Sequence, residues 1–167
     1  LNDVNGGSFK VTVAKSNSKY VPMRSVTECT AREKKQQLDT LQAYEAFGLN
    51  VGAHRMNLIS LINEIIQNGK TIFGYGASTK GNVILQYCGL SAKEIPFIAE
   101  VNEDKFGSFT PATLIPIISE KQARAMKPDY FLVLPWHFRK GILEKENEFL
   151  SSGGAFIFPL PKIEIVR

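Results

Sequence analysis

Lys70-Thr-Ile-Phe-Gly-Tyr-Gly-Ala-Ser-Thr-Lys-Gly-Asn82 is the stretch around which the chain is organised. Thr71, Ile72 and Phe73 form a short β-branched and aromatic run that reads as a buried strand. Gly74-Tyr75-Gly76 ends it. Ala77-Ser78-Thr79-Lys80-Gly81 then leads into a periodic apolar segment, Val83, Ile84, Tyr87 and Cys88, which reads as a helix. A strand, a glycine turn and a helix start in that order aim several backbone N–H groups at one spot. The helix dipole adds partial positive charge there, so the spot suits a phosphate or carboxylate. Ser78 or Thr79 is the expected cap, and Lys80 supplies a full charge. The spacing fits neither common phosphate loop. The third glycine follows the second by five residues rather than three, and Gly81 is followed by Asn82 rather than by Lys and a hydroxyl residue.

Downstream, strand-like and helix-like segments alternate. Pro96-Phe-Ile-Ala-Glu100 is a second strand, and its Glu100 lies nineteen residues past Gly81. An acid at that place in nucleotide-binding α/β folds accepts ribose hydroxyls, although a solvated strand-end acid is an equal reading. Leu114-Ile-Pro-Ile-Ile118 is a third strand, with Pro116 marking an edge. Ser119 caps a short helix that ends before Pro128. Asp129-Tyr-Phe-Leu-Val-Leu-Pro135 is apolar on both faces, as a central parallel strand is. It delivers Trp136 and His137 to its carboxyl end, where open α/β sheets bind ligands. His137 reads as a ligand contact or as a helix-start residue, and Trp136 as packing or as a stacking platform. A helix over Phe138–Leu150 and strands Ala155–Phe158 and Ile163–Val166 complete the chain, the last turned antiparallel by Pro159 and Pro161. Alternation over residues 70–158 predicts an α/β fold: a doubly wound, mostly parallel sheet with helices on both faces.

Before that region the chain reads differently. Residues 1–7 are turn chemistry, and Ser8–Ala14 alternates as a half-buried strand should. One helix is expected from Thr30 to Phe47, stopped by Gly48, and another from Val51 to Asn68, stopped by Gly69. His54 near the start of the second suits a surface or capping role. Residues 1–24 are therefore assigned to the end of a preceding domain and its linker, and residues 25–167 to the α/β domain with its leading helical segment.

Composition narrows the classes. The 167 residues are 44% hydrophobic and 22% charged, with a net charge of +4, ordinary values for a globular domain. Basic residues are scattered among acids, so no nucleic-acid face is predicted. No apolar run reaches the length of a membrane span. Cys29 and Cys88 are far apart, nothing has metal-ligand spacing, and a reducing compartment, the cytoplasm, fits.

Several segments together resemble one family. They are Gly74–Asn82, Asn102 with Lys105 and Gly107, Thr110-Pro111, Ile115-Pro-Ile117, Tyr130–Phe138, and Gly153-Gly154 through Pro161. The set is similar to the C-terminal domain of S-adenosylmethionine-dependent sugar C-methyltransferases, which act on nucleotide-linked (dTDP-type) keto-deoxysugars. The resemblance implies a Rossmann-like fold that helps to bind the nucleotide-sugar. It also implies an upstream domain of the same chain that holds S-adenosylmethionine, and a fragment inactive by itself. The binding set would be Gly76, Ala77, Ser78, Thr79, Lys80, Gly81, Glu100, Trp136 and His137, with His137 the only catalytic candidate here and no metal. Where the family commonly has Arg-Asn-Pro, this chain has Val101-Asn102-Glu103, which removes one phosphate partner. Two other classes stand beside this one: an interaction module that packs on the catalytic domain without ligand, and a free-standing NAD or S-adenosylmethionine domain.

Overall fold

The computed structural model describes residue 2 and residues 7–167. It divides into two compact units, Leu1–Ala53 and His54–Arg167.

In the first unit, α1 (Arg24–Lys35) buries none of its residues. A tight turn with Gln37 at φ 57 separates it from the 27-residue α2 (Leu41–Gln67), whose residues 54–67 belong to the second unit. Two expectations are corrected here. The predicted helices over 30–47 and 51–68 are instead split near residue 37 and continuous through Gly48. A glycine stops a helix where it adopts a left-handed backbone; Gly69 does so at φ +72, and Gly48 does not. The predicted strand over Ser8–Ala14 forms no ladder among the described residues. Only the Asn2–Ser8 bridge occurs, and Phe9, Val11 and Val13 are exposed. Alternation specifies which way side chains face, but a strand also needs a partner edge. The turn read over residues 1–7 falls mostly outside the described residues.

The second unit holds a six-stranded sheet built from β1 (Ile72–Tyr75), β2 (Ile98–Glu100), β3 (Ile117–Ser119), β4 (Tyr130–Val133), β5 (Ala155–Phe158) and β6 (Glu164–Val166). Their order is β3-β2-β1-β4-β5-β6, parallel except for β6. β3 is an edge strand, and Pro116 sits just before it, where no ladder N–H is needed. At the amino end, the Asp129 carboxylate accepts from the Thr71 N–H and hydroxyl and from Lys70, which sets the register of β1 on β4.

Side chains alternate across this sheet, so each face has its own core. Ile72, Leu132, Leu134 and Ile98 pack under Leu58, Ile62 and Ile65 of α2 and Ile84, Leu85 and Cys88 of α3 (Thr79–Cys88). Phe73, Tyr75, Phe131, Val133 and Phe156 form a more aromatic core on the other face. That core is covered by Ala123 of α4 (Glu120–Ala125), Ile142 of α5 (Arg139–Lys145) and Phe149 and Leu150 of α6 (Asn147–Ser151). The fold is thus the expected doubly wound α/β sheet with a helical segment before it. The helix predicted over 138–150 is broken at Glu146, whose side chain turns inward to an ion cluster.

Candidate functional site at the glycine turn

β1 lies between β2 and β4, and the crossovers leave it on opposite sides. Its carboxyl end is therefore the switch point of the sheet, where the strands open a crevice. The Gly76 N–H donates to Ala99 O at 2.7 Å and closes the ladder toward β2. The Leu134 N–H donates to Tyr75 O at 3.0 Å and closes it toward β4. Beyond those bonds the chain must turn sharply. Gly76 does so at φ +76, and a Cβ there would come within 2.8 Å of the Pro135 ring. The turn thus rests directly on the segment that carries Trp136 and His137.

Ser78 is the N-cap of α3. Its hydroxyl accepts from the Gly81 N–H at 3.0 Å, and its carbonyl from the Asn82 N–H at 3.0 Å. Gly81 is buried, and a Cβ on it would collide with Leu134. This glycine allows the close helix-on-strand approach that the third glycine of a dinucleotide turn allows, but at a different spacing. Replacing Ser78 by Ala is expected to lower the unfolding free energy by about 1 kcal/mol, read from urea denaturation at unchanged m-value.

The nine residues expected at the site fall into three groups. Gly76, Ala77, Ser78, Thr79, Lys80 and Gly81 are together at the turn, with Thr79 and Lys80 exposed. The amides of Gly76, Ala77 and Gly81 are bonded within the protein. Among the described residues, the Ser78 and Thr79 amides are seen in no hydrogen bond to a protein acceptor. Glu100 is also at the turn, but only 6% exposed. It accepts from the amides of Ala77 (2.9 Å), Val101 (2.8 Å) and Asn102 (3.1 Å) and from Lys105 Nζ (3.1 Å). A carboxylate offers about four lone-pair sites, so these four donors fill it. Burial pushes its pKa up, but the Asn102 amide, the Lys105 ammonium and the Val101 amide outweigh burial and hold it below the ordinary value. Glu100 is therefore an ionised brace for the loop.

Trp136 and His137 lie in a short 3-10 turn after β4. Trp136 packs against both cores. The ring of His137 is tilted on Phe138, with centroids 4.2 Å apart. Burial, then the Lys80 charge, lowers the pKa of His137, so Lys80 and His137 face one region and the imidazole is neutral at pH 7. Among the described residues, its Nδ1 is buried without a protein partner, as is Asn82 Oδ1 on α3. Buried polar atoms ordinarily have partners, and these two sit on the elements that flank the turn. The arrangement can receive an anion on two amides and a lysine, with a neutral imidazole alongside.

Residues 3–161 match the family described as the C-methyltransferase C-terminal domain. The chain belongs to that family. It is also 36% identical over 164 residues to the C-methyltransferase NovU of Streptomyces niveus. That alignment covers 98% of this chain and 39% of NovU, so the chain spans about two-fifths of its relative's length. The resemblance seen in Gly74–Asn82 and Tyr130–Phe138 thus holds at the level of the family.

In this C-methyltransferase C-terminal domain the residue that sequence reasoning undervalued is Lys105. It figures in the motif set without a role, yet its Nζ also donates to Ala77 O at 2.9 Å. The available signal was Asn102, whose side chain caps a 3-10 turn over Glu103–Lys105 and folds the chain back on β1. Among the described residues no group of three His, Cys, Asp or Glu side chains gathers as metal ligands would, and no helix is long and apolar enough to cross a membrane.

Proposed function

We propose that this domain binds the nucleotide part of a dTDP-type keto-deoxysugar for an S-adenosylmethionine-dependent C-methyltransferase in the cytoplasm. The observation that carries this reading is the pair of amides, Ser78 and Thr79, at the start of α3 beside Lys80. They stand at the switch point of the sheet and near a neutral His137. A diphosphate fits that set by charge and by hydrogen-bond sense. His137 Nδ1 and Asn82 Oδ1, both buried without a partner among the described residues, lie on the two elements that flank the turn.

The turn does not fit S-adenosylmethionine. The acid that would hold its ribose, Glu100, already has four protein donors. We assign that cofactor to an upstream domain of the parent protein, and take this chain alone to be inactive. Titration calorimetry of the chain with thymidine diphosphate tests the reading. Lys80→Ala is expected to weaken binding about tenfold, the loss of one charge-assisted contact. No heat with the unaltered chain, or equal affinity in the variant, contradicts it.

A second reading has its own support. Three amides of the turn are already bonded inside the protein, as in a module that packs on the catalytic domain without ligand. The same titration separates the two.

A further inference from the structure

We infer that Lys105 is a positioning residue for the glycine turn: by holding the carbonyl of Ala77, its ammonium fixes the direction in which the Ser78 amide meets an anion. This rests on the reading of the turn as the diphosphate site.

Ala77 is gripped at both of its backbone groups. Its N–H donates to Glu100 Oε2 at 2.9 Å, and its C=O accepts from Lys105 Nζ at 2.9 Å. The two gripping side chains are themselves joined at 3.1 Å. A trans peptide is planar, so the Ala77 C=O and the Ser78 N–H point in opposite directions. Whatever holds the carbonyl on one side presents the amide on the other. An ammonium on the carbonyl oxygen also polarises the peptide and makes the Ser78 N–H a stronger donor.

The grip has something to resist. Gly76, one residue before Ala77, is in the left-handed region at φ +76, and glycine crosses between backbone wells more freely than other residues. Without Lys105, Ala77 keeps the Glu100 bond to its N–H and Gly76 its bond to Ala99 O, but the Ala77 carbonyl loses its grip. A plain surface ion pair has a different signature. The Lys105 side chain is 41% exposed but its Glu100 partner only 7%, so losing the ammonium also costs stability by leaving a buried carboxylate without its counter-charge. Stability alone therefore cannot separate the grip on Ala77 from the charge on Glu100. Two of the ammonium's three N–H donors are engaged, one on the Ala77 carbonyl and one on Glu100.

The test uses this chain and its Lys105→Met and Lys105→Arg variants, labelled with 15N. In the free protein, Lys105→Met is expected to move the Ser78 amide resonance and speed its hydrogen exchange, and Lys105→Arg to restore both in large part. The thermal midpoint of Lys105→Met is expected to fall, since Glu100 loses its ammonium partner and keeps three amide donors, and it is not the deciding readout. With thymidine diphosphate as the probe, Lys105→Met is expected to bind about tenfold more weakly, with most of the loss recovered by Lys105→Arg. An unchanged Ser78 resonance in Lys105→Met overturns the inference, as does an affinity loss that Lys105→Arg repeats in full. If Lys105→Met does not fold, Lys105→Ala, which likewise cannot donate to Ala77 O, is read in its place against the same criteria. Should the unaltered chain bind no thymidine diphosphate, the reading of the site fails, while the free-protein resonances still decide the role of Lys105.

Discussion

Replacing Gly81 by alanine is expected to destabilise the domain by about 3 kcal/mol, at the upper end of overpacking costs. The backbone at Gly81 is not in the left-handed region, so the cost arises from space rather than from conformation. A Cβ there would collide with Leu134 Cβ and come within 2.9 Å of Ser78 Oγ. Leu134 Cβ is fixed to the chain leaving β4, whose N–H there donates to Tyr75 O, and its side chain is fully buried. It cannot swing aside, so α3 must lift off the sheet or Ser78 must release its cap. Either response disturbs the amides that face the crevice. Alanine's better helix propensity returns only about 1 kcal/mol.

Gly74 is the control. A Cβ on it also approaches too closely, but against Cδ1 of Ile98, the free end of a flexible side chain. Gly74→Ala is expected to cost about 1 kcal/mol and to leave the turn intact. Urea denaturation of both variants checks the order, and Gly74→Ala costing more than Gly81→Ala would contradict it.

The second large effect is expected on the other face of the sheet. Glu146 is 3% exposed and charged. It accepts from the Tyr75 hydroxyl at 2.9 Å, pairs with Arg124, and has Lys145 Nζ at 3.6 Å. Glu120 completes the cluster, 3.5 Å from Arg124 and 3.0 Å from Lys145. Burial, then the charges of Glu120 and Glu146, raises the Tyr75 pKa, so the hydroxyl stays protonated and donates. Arg124→Met removes the main counter-charge of a buried carboxylate. Breaking a buried pair from one side costs about 3–5 kcal/mol. Arg124 is itself one-third exposed and Lys145 remains nearby, so the low end applies, about 3 kcal/mol. That corresponds to a melting midpoint lowered by roughly 6–12 °C. The double variant Arg124→Met/Glu146→Leu should recover much of the loss, because no charge is then left buried. A single variant that melts within about 2 °C of the parent would contradict the assignment.

The central strands were legible because each carries its own signal. Asp129–Pro135 is apolar on both faces, and only a strand covered on two sides tolerates that. Gly74 to Gly81 announced the turn, and Ser78 its cap. Helix limits were harder. Gly48, Gly52, Gly69 and Gly89 are alike in sequence, yet only Gly69 and Gly89 take positive φ and end helices. Tertiary packing chooses among them. The inward face of α3 was partly misjudged for a similar reason. Gly81 sits against Leu134, so Ile84, Leu85 and Cys88 turn inward while Val83 and Tyr87 face out. At the site, Glu100 and Lys105 were both visible as residues but not as partners. Their meeting depends on the 3-10 turn at Glu103–Lys105, which brings the ammonium back over Ala77. Periodicity carries no record of such a return.

The most direct measurement is a 1H–15N titration of the chain with thymidine diphosphate. The predicted result is that the Ser78 and Thr79 amides move first and furthest, with His137 and Asn82 responding. The contrary result is a shift pattern gathered around the cavity of about 660 Å³ lined by Arg124, Lys127, Lys145 and Gly153, with Ser78 and Thr79 unmoved.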